Sequence, residues 1–233
     1  AVDFVRRLRH PKSMQEDNAF HLPRWMERLL RRVYGDTRPD GTRKIREVLA
    51  LLPRGNRKST LAGAIGLLHA IGPEKVQGGQ CVIAARDREQ AGFLFNEAAG
   101  IIGMDAHLSD LTRTRKAPPT ITHKRAGSHL VAVSADALNK HGGTVSLALE
   151  DEIHAWKSAD LHNVLTSSMN KVTNALRWMV TTAGRGTGTL AWEQYDYARD
   201  VLRGKIKDES FLPVLFEAPH DVDFASERIW HLV

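Results

Sequence analysis

The chain has 233 residues, is 42% hydrophobic and 26% charged, and carries a formal net charge of +6. That size fits one large globular domain or two small ones, and no apolar run reaches the ~20 residues that a membrane helix requires. A lone Cys81 excludes an internal disulfide and the first residues lack the apolar core of an export signal, so an intracellular setting is expected.

The charge is unevenly placed. Residues 1–58 hold 15 Lys/Arg against 7 Asp/Glu, whereas the remainder holds 18 against 20. A basic first quarter suits a polyanion partner, because Lys and Arg release counterions from nucleic acid; it is equally what a solubilising face looks like. Within it, Leu22, Trp25, Met26, Leu29, Leu30 and Val33 recur at helical spacing and predict a helix closed by Gly35. A turn-rich link leads to "REVLALLP", a short buried strand stopped by Pro53. The segment "STLAGAIGLLHAIGP" then reads as a helix, apolar on most sides and ended by Gly72-Pro73.

Strands and helices continue to alternate. "QCVIAA" (80–85) predicts a strand, 87–102 a helix, and 105–116 a loop or short helix. "PTITHKR" and "HLVAVS" predict two strands turning about Ala126-Gly127, and "VSLALE" (145–150) another apolar strand. A helix over "SADLHNVLTSSMNK", the strand "ALRWMVTTA" and a helix ending at Gly204 follow. The last strand, "SFLPVLFEAP", contains a proline and therefore belongs at a sheet edge. This alternation predicts an α/β fold with a mainly parallel sheet covered on both faces, preceded by a helical arm.

Two segments carry chemistry. "LLPRGNRKSTLAG" follows a strand and opens a helix, where free N–H groups and the helix dipole favour phosphate. Against the phosphate-loop pattern G-x-x-x-x-G-K-[ST], Leu52 and Arg57 occupy the glycine slots, while Lys58 and Ser59 stand in register for phosphate and a Mg²⁺-binding hydroxyl. Gly55 and Asn56 both tolerate positive φ; Arg57 either accepts a conformation costing on the order of 1–2 kcal/mol or the loop is shaped differently there. The second segment, "TVSLALEDEIHAW", runs an apolar strand into Asp151-Glu152, the order in which phosphoryl-transfer ATPases place a metal ligand and a water-polarising base. Alternation turns Glu150 away from Asp151. Together these segments predict a nucleotide site at the carboxyl ends of the strands.

Weaker signals stay open. Thr181 and Thr182 end a strand and could face a γ-phosphate or simply begin a turn. His154, two residues past Glu152, could position that carboxylate or only pack. The eleven histidines form no metal-ligand pattern, and Trp192, Tyr195 and Tyr197 suit helix packing better than base stacking.

The set "LPRGNRKST", "CVIAARDREQA", "VSADALNKHGGTVSLALEDEIHAW" and "MVTTAGRGTGTLAWEQYDYARDVL" resembles the large terminase subunit of tailed bacteriophages, above all its HK97-like group. The resemblance runs in family order from about Leu22 to Pro219. It implies a P-loop NTPase of the RecA-like/ASCE type, using ATP and Mg²⁺ to move double-stranded DNA into a procapsid. Lys58, Arg54 and Glu152 would be catalytic, and Ser59 and Asp151 would hold the metal. Arg54, Gly55, Asn56, Arg57, Lys58, Ser59, Thr60, Trp25 and Thr182 would contact nucleotide, while Thr181, Thr182 and Ala183 would couple hydrolysis to movement.

The family pattern is not matched everywhere: Met26 stands where a glutamine beside Trp25 would read adenine, and Arg57 replaces a small residue. The resemblance further implies an ATPase domain over 1–219 (a helical arm over 1–45 included). Residues 220–233 would begin a linker toward a nuclease domain that this chain lacks. Implied partners are double-stranded DNA, a portal protein, a small terminase subunit and further copies in a ring, with no membrane, in the host cytoplasm. An arginine from a neighbouring copy would complete the site, with Arg86, Arg88, Arg113, Arg115 and Arg125 as candidates. The alternative is a DNA-binding module whose nucleotide pocket no longer works.

Overall fold

The structure, a computed structural model, describes residues 1–133, 144–218 and 222. The expected "SADALNKHGG" stretch and, Val222 apart, the linker over 220–233 lie outside them. Eight strands form one sheet: β1 (Glu47–Leu51), β2 (Gln80–Ala84), β3 (Thr112–Lys116), β4 (Pro119–His123), β5 (His129–Val133), β6 (Val145–Asp151), β7 (Leu176–Thr181) and β8 (Phe211–Leu215). Their spatial order is β3-β4-β5-β2-β6-β7-β1-β8. From β5 to β8 every neighbouring pair is parallel; β3–β4 and β4–β5 are antiparallel.

Every residue of β2, β6 and β7 is buried, as expected for central parallel strands covered on both faces. One face packs on α1 (Val2–Arg7), α2 (Arg24–Gly35), α3 (Lys58–Ala70) and α4 (Arg88–Gly103), through Val5, Leu30, Ile65 and Leu94 among others. The other packs on α6 (Asp160–Met169) and α7 (Leu190–Leu202), through Leu165, Met179 and Ala198. The short α5 (Ala106–Leu111) leads directly into β3. Asp87 and Thr189 cap α4 and α7 by accepting the N–H groups of Gln90 and Trp192. Among the described residues no helix is long and apolar enough to cross a membrane.

Most predicted elements are present at the predicted places. Pro213 lies in β8, an edge strand, so its missing N–H leaves no ladder bond broken on the open side. Some particulars differ from that reading or add to it. Residues 112–116, read as loop or helix, form edge strand β3 against β4. The N-terminal helical arm packs onto the domain, with Val2, Val5 and Leu8 joining the main core. In the phosphate-loop segment Gly55 takes φ +84°, whereas Asn56 keeps a negative φ and donates its side-chain N–H to Pro53 O at 3.3 Å.

Candidate active site

The sheet order sets the site. Strand β7 lies between β1, which delivers the loop over 52–57, and β6, which delivers Asp151 and Glu152. All three strands run parallel, so their carboxyl ends open on the same rim. There the loop, the acidic pair and the Thr181-Thr182 end of β7 meet.

Lys58 is the first residue of α3 and is 9% exposed. Its Nζ donates to Leu52 O at 3.5 Å and lies 3.4 Å from Glu152 Oε1. Arg57, just before it, adopts φ 53° and ψ 33°. The loop therefore closes as a glycine-containing loop would, and the arginine accepts left-handed geometry at a cost of about 1–2 kcal/mol. Arg54 to Thr60, with Glu152, line an open cleft of about 570 Å³. The N-terminus of α3 points its unpaired N–H groups into that cleft, a setting that attracts anions.

Glu152 also takes a left-handed conformation, φ 49° and ψ 51°. Its Oε2 accepts from the Thr182 N–H at 3.3 Å and the Thr182 hydroxyl at 3.4 Å, and lies 3.1 Å from His154 Nδ1. Thr181 Oγ1 donates to Thr182 O at 2.9 Å, so its lone pairs face His154, whose Nδ1 is 3.0 Å away and whose N–H is 3.3 Å away. That assigns the Nδ1 proton to His154, shared between Thr181 and Glu152. His154 therefore touches the Glu152 carboxylate rather than only packing. Gly184 is its floor: a Cβ there would lie 2.9 Å from the His154 Cβ.

Asp151 ends β6 at 7% exposure. Burial, and then the neighbouring Glu152 charge, push its carboxyl up from 3.8 to about 6, with Lys58 opposing. Such a carboxylate lacks charge compensation, and a cation would supply it. Among the described residues no cluster of three or more His, Cys, Asp or Glu could hold a metal alone. The donor set fits Mg²⁺ bound through one carboxylate, the Ser59 hydroxyl and substrate oxygens, as this ion commonly binds in phosphoryl-transfer sites. Glu150 points to the opposite face, fully buried, with His162 Nδ1 at 2.8 Å and Arg177 Nε at 3.2 Å.

Not every expected residue lines the cleft: Asp151 and Thr182 are not among its lining residues, and Thr182 instead lines a neighbouring hollow with Gly184 and Trp192. Trp25 packs edge-on against Phe216 at 5.4 Å, partly buried against the core, and is not among the lining residues. Thr60 does line the cleft, but its hydroxyl is already engaged, donating to Glu97 Oε2 at 3.0 Å. Conversely, His10, Lys12, Ser13, His21 and Glu97 line the opposite wall, and the sequence reading missed them. Glu97 gathers His10 Nε2 at 2.8 Å and Lys12 Nζ at 2.7 Å as well as Thr60. Burial raises its carboxyl, but these donors outweigh it and leave Glu97 below the usual range. No local pattern links residues so far apart in the chain.

Comparison with known proteins points to terminase large subunits. A family model for the terminase large subunit, ATPase domain, matches residues 24–200. The terminase large subunit of Enterobacteria phage HK97 is 27% identical over 181 residues, covering 77% of this chain and 35% of that protein. This chain thus spans about a third of that relative's length. Among solved structures, the HK97 bacteriophage large terminase superposes with a TM-score of 0.85 at 24% identity, over 99% of this chain and 46% of that one. The ATPase domain of the Thermus phage P74-26 large terminase gives 0.57 at 14% identity, over 83% and 84%.

Proposed function

The chain belongs to the terminase large subunit ATPase domain family, and from that premise we propose that it hydrolyses ATP in the cleft between Lys58 and Glu152 and that this hydrolysis drives double-stranded DNA into a procapsid. The observation that carries the reading is the 3.4 Å approach of the Lys58 ammonium to Glu152, from two segments far apart in sequence and joined by parallel strands.

In this reading each residue has one task. The α3 N-terminus and Lys58 bind phosphate, and Arg54 reaches the outermost phosphate from the exposed loop. Ser59 and Asp151 would hold Mg²⁺, which when bound neutralises charge on the phosphate oxygens. Glu152 is the base. Its two oxygens are unequally held: Oε2 is fixed by Thr182 and lies against His154, while Oε1 faces only Lys58, at ion-pair distance. When Lys58 turns to a phosphate, Oε1 is left free to accept a proton from water and Oε2 keeps the carboxylate aimed. Thr182 ties that aim to the segment following β7, the expected coupling element.

Glu152→Gln tests the assignment. It should bind ATP with near-unchanged affinity and turn it over at least about 100-fold more slowly, the scale of a lost general base. Normal turnover would remove Glu152 from the chemistry. If the unaltered chain shows no heat on titration with ATP and Mg²⁺ at millimolar concentration, the pocket is degenerate and a DNA-binding module is left. The portal protein, the small subunit and a ring of copies remain the proposed partners, with the host cytoplasm as the setting.

A further inference from the structure

The structure redistributes the charge that the sequence placed in the first quarter. There Arg6 and Arg31 pair with Glu27, Arg32 with Asp36, Arg43 with Glu74, Lys12 with Glu97 and Lys44 with Glu209. The surface hollow lined by Arg6, Arg7 and Arg9 also contains Glu16 and Asp17, so its signs are mixed. Much of the N-terminal surplus is thus answered within the chain.

The opposite holds at the β3 end of the sheet. Residues 111–133 contain Arg113, Arg115, Lys116, Lys124 and Arg125 and not one Asp or Glu. All five are exposed. Among the described residues none of them forms an ion pair, and the Lys124 ammonium donates only to a backbone carbonyl, Asp110 O, at 2.6 Å. Register puts Arg113 and Arg115 on the same face. Arg113 stands opposite Thr122 and Arg115 opposite Thr120, while Ile121 on the other face joins the core. The two guanidinium groups therefore project on one face, two residues apart along the strand, with threonine hydroxyls beside them. Together with Lys124 these residues line a groove of about 350 Å³ that has no acidic wall.

We propose that this β3–β4 face is a docking surface for the phosphodiester backbone of duplex DNA. The proposal rests on the DNA-packaging reading above and assigns the contact to the sheet edge farthest from β1 and β8. The chemistry is that of sequence-independent binding: guanidinium forks and hydroxyls meet phosphate oxygens, and nothing on this face is shaped to read base edges. Charged edge strands also discourage sheets from pairing edge to edge. That role needs charge of either sign at the rim, whereas the residues lining this groove carry one sign only.

The test uses the 233-residue chain and a fluorescent 30-base-pair duplex, with anisotropy measured across a sodium chloride series. Arg113→Gln with Arg115→Gln is compared with wild type and with a charge-matched control, Arg7→Gln with Arg28→Gln. Two lost phosphate contacts should lower the slope of log affinity against log salt by about 1.8, and affinity at 0.1 M salt by about 60-fold. The control should change the slope by much less. An unchanged slope in the β3 variant, or equal losses in both variants, overturns the proposal while leaving the ATPase reading intact. So does a wild-type chain that shows no salt-dependent binding. ATP turnover, measured in parallel, separates a third outcome. If the β3 variant loses concentration-dependent turnover and keeps its DNA affinity, these arginines act on a neighbouring copy's nucleotide, and the docking surface is refuted. Arg115→Gln alone should give about half the slope change, which guards against a folding defect in the double variant.

Discussion

Replacing Asp151 by asparagine should make the protein more stable and useless as a magnesium-dependent enzyme. Asp151 is 7% exposed, and its carboxyl is pushed up from 3.8 to about 6 by burial first and the Glu152 charge second. The folded state thus holds this proton more tightly than the unfolded chain does. Stability from this group is complete below about pH 4 and is lost as pH rises through about 6. At about 1.4 kcal/mol per pH unit, the loss amounts to about 3 kcal/mol at neutral pH. An amide has nearly the same shape and no charge to bury, so Asp151→Asn should match wild type near pH 4 and exceed it by up to about 3 kcal/mol at pH 8. For a chain of this size that is a rise in melting temperature of about 6–12 °C. Calorimetry from pH 4 to 8 without divalent cation measures it. In a second arm, Mg²⁺ with a non-hydrolysable ATP analogue should stabilise wild type more than the variant, because only wild type has a charge to be neutralised. A variant no more stable than wild type at pH 8, or a difference independent of pH, would refute the argument that Asp151 is an uncompensated buried carboxyl.

Gly184→Ala places a methyl group 2.9 Å from the His154 Cβ. It should lower ATP turnover by about tenfold or more through a displaced carboxylate while leaving nucleotide affinity nearly unchanged, as read by steady-state kinetics beside equilibrium titration. His154→Ala should reproduce that split; a change in affinity alone would argue against the contact. Arg57→Gly relieves a left-handed arginine and should raise unfolding stability by up to about 1 kcal/mol in urea titrations, and a clear loss of stability would mean that the side chain has an uncounted partner.

What the sequence disclosed, and what it withheld, follows from the range of the forces involved. The central strands were legible because "CVIAA" and "VSLALE" are apolar runs, and only a doubly covered strand needs both faces apolar. Glu150 and Asp151 could be sent to opposite faces because strand alternation is strictly local. Strand β3 was not legible: "TRTRK" has no apolar alternation, since only Thr112 is buried and the rest faces solvent. Its strand character comes from pairing with β4. Trp25 had the right place in the chain for a base contact, but the docking of α2 turns it toward Phe216, just past β8. The Glu97 cluster joins residues 10, 12, 60 and 97, and nothing in any one segment announces the others. Family order supplied the candidate site; tertiary contacts decided which residues line the cleft.

Backbone strain marks the same place independently of side-chain chemistry. Four non-glycine residues among those described have positive φ, and two of them, Arg57 and Glu152, sit on either side of the Lys58–Glu152 approach. Each costs on the order of 1–2 kcal/mol that an ordinary turn residue would not incur. At Arg57 the geometry sets the entry to α3, directing its first N–H groups and Lys58 into the cleft. At Glu152 it ends β6 abruptly: the Glu152 N–H still bonds to Val180 O at 2.8 Å, while the side chain turns to face Lys58 and Thr182. A relaxed, extended residue 152 would continue the alternation of the strand and send its side chain to the face opposite Asp151. The left-handed step instead leaves two consecutive carboxylates side by side at the end of a single strand, the arrangement that the proposed metal-ligand and base roles of Asp151 and Glu152 require.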